Sequence, residues 1–333
     1  MHANLTVVWA GIIVFAVAMY VVMDGFDLGI GILFTRFDVG VERDTAMNAI
    51  APVWDGNETW LILGGGGLMA AFPLAYAVVL PALYAPIIAM LLGLVFRGVA
   101  FEFRWRDPNH RARWDSGFCL GSIVATFAQG VTLGALLQGI KISGRAYAGG
   151  YWDWLTPFSV LTGTSLVVGY ALLGACWLIW KTSDLVHVEA RRFAAVLTPG
   201  LLAAIAAVSI YTPFLSNKFY ATWFTWPGVC ALAAMPVAVA AIGFALYRHT
   251  GQGRDYVPFV LTLSLFGLSL LGLGISMWPD IIPSRLSIWD AAAPKSSQVF
   301  MLVGACVLVP LILAYTSWAY WVFRGKVAEE GYH

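Results

Sequence analysis

Apolar runs long enough to cross a bilayer, about 20 residues each, recur along the whole 333-residue chain. That feature leaves few folds open. In hydrocarbon every backbone N–H and C=O must be satisfied inside the protein, so lone apolar runs become spanning helices rather than open strands. Only 11% of the side chains are charged and 60% are hydrophobic, against about a quarter charged in an ordinary soluble domain. The chain is expected to be an all-α, polytopic integral membrane protein with about nine transmembrane helices. The runs lie roughly at 7–34, 49–72, 77–99, 117–140, 156–180, 194–213, 223–247, 257–277 and 299–323. The stretch from Met1 to Ala10 has no basic n-region and leads into a run too long for a signal peptide, so it is read as a retained anchor. No linker rich in Pro, Gly or Ser separates soluble parts, and 1–333 is read as a single membrane domain. The longest outside connections, 141–155 and 279–298, could fold onto the outer surface.

The basic residues set an expected orientation. Arg36 and Arg43 follow the first run, Arg97 to Arg113 surround the end of the third, and Lys181, Arg191 and Arg192 follow the fifth. Arg248 and Arg254 follow the seventh, Arg324 and Lys326 the ninth. The opposite side holds only Lys141, Arg145, Lys218, Arg285 and Lys295. Cytoplasmic loops carry the excess of Lys and Arg, which places the N-terminus outside and the C-terminus in the cytoplasm. Trp and Tyr cluster near the expected interfaces, as in Tyr151, Trp152, Trp154, Trp318 and Trp321.

Several chemistries have no support. A net charge of +1 without a concentrated basic face argues against nucleic-acid binding. Cys119, Cys176, Cys230 and Cys306 each lie alone in an apolar run, which suits packing rather than a disulfide frame or zinc site. No phosphate loop, nucleophile elbow or HExxH helix is present. His2, His110, His187, His249 and His333 are terminal or in expected loops, so no pair can bracket a haem in the membrane, and no haem or metal is expected on this chain alone. Met19, Met23, Met69 and Met90 could in principle be axial ligands but read as filler.

What stands out is acid at bilayer depth. The first run carries Asp24 and Asp27, and the second carries Asp55, Asn57 and Glu58. An intramembrane carboxylate costs roughly 2.5 kcal/mol or more by insertion scales, so it is a functional candidate by default. Each pair is spaced three residues apart and shares a helix face. Counted at about 1.5 Å per residue, all four acids would meet about 10 Å inside the Arg-rich boundary. Four ionised carboxylates cannot share a low-dielectric site, so at least one should be protonated or paired with a cation; Arg97 and Arg104 are nearest, and Glu102 adds an acid near the mouth. Three readings stay open here: a hydrogen-bonded knot of Asp27, Asp55 and Arg97 holding helices together, a proton path, and a bound cation. Gly64 to Gly67 either allow close packing or break the second helix around a ligand.

The string Met23-Asp24-Gly25-Phe26-Asp27-Leu28-Gly29-Ile30-Gly31, with Ile50-Ala51-Pro52-Val53-Trp54-Asp55-Gly56-Asn57-Glu58-Thr59-Trp60-Leu61, resembles subunit II of the cytochrome bd-type quinol oxidases. Phe96 to Arg104, Leu136 to Gly139, Ser287 to Ala292 and Val309 to Trp321 are similar as well. The resemblance implies a respiratory oxidase of the bacterial cytoplasmic (inner) membrane that oxidises quinol and reduces oxygen to water. It implies a larger partner, subunit I, that carries two haems b and one haem d together with the quinol site. A small single-helix subunit, quinol and lipid are further partners to consider.

Carried over by position, Asp55 matches the family's proton-route acid, with Asp27 and Trp54 beside it and Asp24 one turn away. Glu58 is a titratable group beyond the pattern. Asn57, Arg97 and Glu102 are expected to be structural or to line the mouth of the route. The short connection from Phe214 to Trp223 leaves little room for an elaborated outer domain. The alternatives are a proton- or cation-coupled secondary transporter, using the same acids and the glycine-rich helix, and a purely structural subunit.

Overall fold

A computed structural model describes residues 2–226 and 228–327, with the side chains of 2–4, 228, 231 and 232 left aside. The helix α1 (His2–Leu33) runs about 48 Å at 1.5 Å per residue and ends in a 3-10 turn, Phe34–Arg36. Gly40, at φ 107°, reverses the chain into α2 (Val41–Asn48), whose first turn places Glu42 and Asp44 against the positive end of the helix dipole.

The helix α3 (Trp54–Ala71) and α4 (Pro73–Ala82) meet at 120°. Pro73 is the cause: it is accepted at the first position of α4, and it pushes Phe72 out of the helical region to φ −132°, ψ 62°. The expected run at 77–99 is therefore split, its first part belonging to α4 and its remainder to α5 (Tyr84–Arg106). Gly64 to Gly67 do not break α3. Gly64 and Gly67 face Val17 and Ile13 of α1, as small residues do where helices approach.

The chain continues as α6 (Arg111–Leu137), the hairpin β1 (Ile142–Ser143) and β2 (Ala146–Tyr147), and α7 (Pro157–Lys181), which starts with a Thr156–Ser159 capping box and Pro157 in its first turn. After α8 (Asp184–Tyr211) the expected run at 223–247 resolves into α9 (Asn217–Phe224) and α10 (Gly228–Gly251). Then come α11 (Val257–Met277), the hairpin β3 (Asp280–Ile282) and β4 (Leu286–Ser287), α12 (Ile288–Ala291) and α13 (Lys295–Val322). Among the described residues, seven helices are long and apolar enough to cross a membrane, or eight if the bent α3–α4 pair is one span.

The centre of the bundle is α7, packed against α1, α6, α8 and α11. Its contact with α1 is close enough that a Cβ on Gly29 would collide with the Tyr170 carbonyl, and one on Gly174 with the backbone of Gly29. This crossing, with α3 laid along the other flank of α1, determines where Asp24 and Asp27 point.

Candidate functional site

Asp24 and Asp27 sit one turn apart on α1, fully buried. Arg97 of α5 reaches both, with Nη1 3.1 Å from Asp24 Oδ1 and Nη2 3.9 Å from Asp27 Oδ2. Glu58 on α3 closes the group, with Oε2 3.7 Å from Arg97 Nη1 and a side chain 29% exposed. Asn57 Nδ2 donates to Asp27 Oδ2 at 2.7 Å and to the Met23 carbonyl at 3.3 Å. Trp54 covers the guanidinium at 5.9 Å and packs on Phe101.

The expected meeting of four acids is corrected to three. Asp55 occupies the first turn of α3, exposed, and among the described residues none of the ion pairs includes it; one helical turn separates it from Glu58. Hence the expected knot of Asp27, Asp55 and Arg97 does not form, and Asp24 stands where Asp55 was expected. Glu102 is also outside the cluster, on the exposed flank of α5, where it pairs with Arg106 at 3.6 Å.

One guanidinium faces three carboxylates, so charge balance calls for protons or further cations on the acids. Asp27 Oδ1 and Arg97 Nε are buried without a hydrogen-bond partner. Such open capacity next to paired charge suits small polar species, protons and water, better than a bulky ligand.

Sequence reasoning missed two parts. Tyr320 of α13 donates its hydroxyl to Asn57 Oδ1 at 2.9 Å, a contact across 263 residues of separation that no local spacing can signal. A second ionic group lies at the Arg-rich helix ends. Buried Arg104 binds Asp115 of α6 and Asp44 of α2, each at 2.6 Å, and Arg43 reaches the same Asp115 at 2.7 Å. Arg104 thus ties α2, α5 and α6 together rather than joining the intramembrane acids.

The described histidines do not fit a haem. His110 faces Asp107, His187 contacts the Ile179 carbonyl and Arg191, and His249 adjoins Gly253. All three belong to the Arg-rich ends of helices. Met23 and Met90 are packed in apolar clusters. The side chain of His2, and His333, lie outside the described residues. Among the described residues, no group of three or more His, Cys, Asp and Glu is arranged to hold a metal ion.

Comparison with known proteins gives one answer. The family model for cytochrome bd terminal oxidase subunit II matches residues 5–323. The chain is 32% identical to subunit 2 of the cytochrome bd-I ubiquinol oxidase of Escherichia coli K12, over 93% of this chain and 92% of that relative. It is 27% identical to subunit 2 of the cytochrome bd ubiquinol oxidase of Bacillus subtilis, over 98% of each chain. In fold it is similar to a chain in the structure of bd oxidase from Geobacillus thermodenitrificans, with a TM-score of 0.75 at 16% identity over 97% of this chain and 100% of that one. A bundle of bilayer-length helices around buried carboxylates, matched from end to end by these subunits, belongs to the cytochrome bd terminal oxidase subunit II family.

Proposed function

We propose that the chain works as the smaller subunit of a quinol-oxidising, oxygen-reducing complex and supplies protons from the cytoplasm through Asp55, Glu58, Asp24 and Asp27. The observation that carries this reading is a gradient of burial among acids. Asp55 is exposed, Glu58 is partly exposed, and Asp24 and Asp27 are sealed. A proton collected at Asp55 reaches Glu58 one turn further along α3. From there Arg97 contacts both inner acids, and loading one of them changes the charge that Arg97 presents to the others. Trp54 shields this exchange and Asn57 orients Asp27, while Glu102 belongs to the rim.

The oxidase names of the relatives support the enzymatic half of the reading, and the transporter alternative finds no support among them. The partner is the larger subunit I. We further propose that this partner carries two haems b and one haem d together with the quinol site, that a small single-helix subunit and lipid complete the complex, and that it resides in the bacterial cytoplasmic membrane. We also propose nine spans, with α10 completing the set, the N-terminus outside and the Arg-rich side cytoplasmic. Haem supplies electron transfer and oxygen binding in such a complex; this chain holds and moves protons.

The test is Asp55→Asn in the purified complex. Normal haem content with slowed quinol oxidase turnover supports the route, whereas unchanged turnover removes Asp55 from it.

A further inference from the structure

The hydrogen bond from Tyr320 to Asn57 has no part in a path through Asp55. The ring of Tyr320 is also one wall of a cavity of ≈ 20 Å³, space for about one water. This cavity lies at the Arg-rich ends of the helices, between the turn that precedes α3, the end of α7 and the segment after α13. Its lining includes Asn48, whose Oδ1 is buried without a hydrogen-bond partner, and Lys181. Tyr320 alone separates it from Asn57, which donates in turn to Asp27.

The chain after α13 is strapped across it. Lys181 Nζ donates to the carbonyls of Phe323 and Gly325, and the Val327 N–H donates to the Lys181 carbonyl at 2.8 Å. Lys326 Nζ donates to the Thr182 carbonyl at 2.9 Å and to Asp255 at 3.0 Å. A lysine with its charge spent on two carbonyls also serves as the cap of α13.

We propose that this strapped cavity is a second entrance for protons, joining the route at Asp27 through Tyr320. The proposal rests on the reading of the acid cluster as a proton route. An amide cannot relay a proton, so Asn57 is a positioning residue: by donating to its oxygen, Tyr320 turns its N–H toward Asp27. Transfer occurs when the hydroxyl swings off Asn57. In one concerted relay a hydronium ion from the cytoplasmic side gives its proton to the Tyr320 oxygen and leaves as water, while the original Tyr320 O–H bond breaks and a new O–H bond forms on Asp27 Oδ1, so that Tyr320 stays neutral. Asp27 Oδ1 is the atom left without a partner.

The experiment is proton uptake, followed with a pH dye during an oxygen pulse on the quinol-reduced, purified complex. Tyr320→Phe and Asn48→Leu are each combined with Asp55→Asn, and the haem spectrum reports assembly. Asn48→Ala replaces Asn48→Leu should the larger side chain prevent assembly. The second entrance predicts that each added change slows uptake by at least about tenfold beyond Asp55→Asn alone, as loss of a positioned proton-transfer group does. Uptake no slower than in Asp55→Asn alone overturns it. Asp27→Asn separates the two layers: if it blocks uptake while the Tyr320 and Asn48 variants do not, only the entrance fails. If Asp27→Asn also leaves uptake at the wild-type rate, the proton-route reading fails as well.

Discussion

Arg97 Nη1 lies 3.1 Å from Asp24 Oδ1, with side chains only 1% and 0% exposed. Removing one partner of a sealed pair strands the other, at a cost of about 3–5 kcal/mol. Arg97→Ala is therefore expected to reduce the amount of assembled complex on a native gel and to lower its thermal midpoint. Asp24→Asn keeps a hydrogen-bonding side chain beside the guanidinium and should assemble in greater yield than Arg97→Ala.

Asp55 carries the opposite expectation. Being exposed and outside the ion pairs among the described residues, it can be changed to Asn with a stability effect within about 0.5 kcal/mol. Thermal unfolding should be unaltered while turnover falls. A lowered midpoint would show that Asp55 is held by contacts beyond this chain.

The crossing of α1 and α7 makes a purely steric prediction. Gly29→Ala drives a methyl into the Tyr170 carbonyl, and overpacking of this kind costs about 1–3 kcal/mol or more. Gly56 has open space around its added Cβ and serves as the control. Complex yield should drop for Gly29→Ala and hold for Gly56→Ala.

The strap over the cavity depends on pH through Asp255, between α10 and α11. Burial opposes its ionisation, but Lys326, His187 and Arg191 outweigh burial and hold the carboxyl below the usual range. A depressed folded-state value adds stability above the unfolded value of about 3.9, and that stability is lost as pH falls through the folded value. The hydrogen-exchange protection factor of the Val327 amide, which donates to the Lys181 carbonyl, should stay high at neutral pH and fall only in strong acid. Asp255→Asn should show the faster exchange at neutral pH.

The spans α1, α7 and α11 are legible in the sequence because composition and length decide them, and the end of α11 at Met277 matches the expected run. The bend at Phe72–Pro73 is legible only in hindsight, since 77–82 is apolar enough to be assigned to either neighbour. The acids of α1 announce themselves by their depth. What local spacing cannot give is azimuth: Asp55 and Glu58 share a helix face in principle, yet the first is exposed and the second reaches Arg97. The Arg104–Asp115 pair and the Tyr320–Asn57 bond join residues from different helices, so the tertiary packing alone reveals them.

The central claim is that the buried acids carry protons rather than merely brace the helices. The most direct measurement is the rate of proton uptake in Asp27→Asn, recorded in a complex whose haem content equals that of the wild type. A rate reduced on the order of a hundredfold with full haem content is the predicted result. A wild-type rate would contradict the account and leave the cluster with a structural role alone.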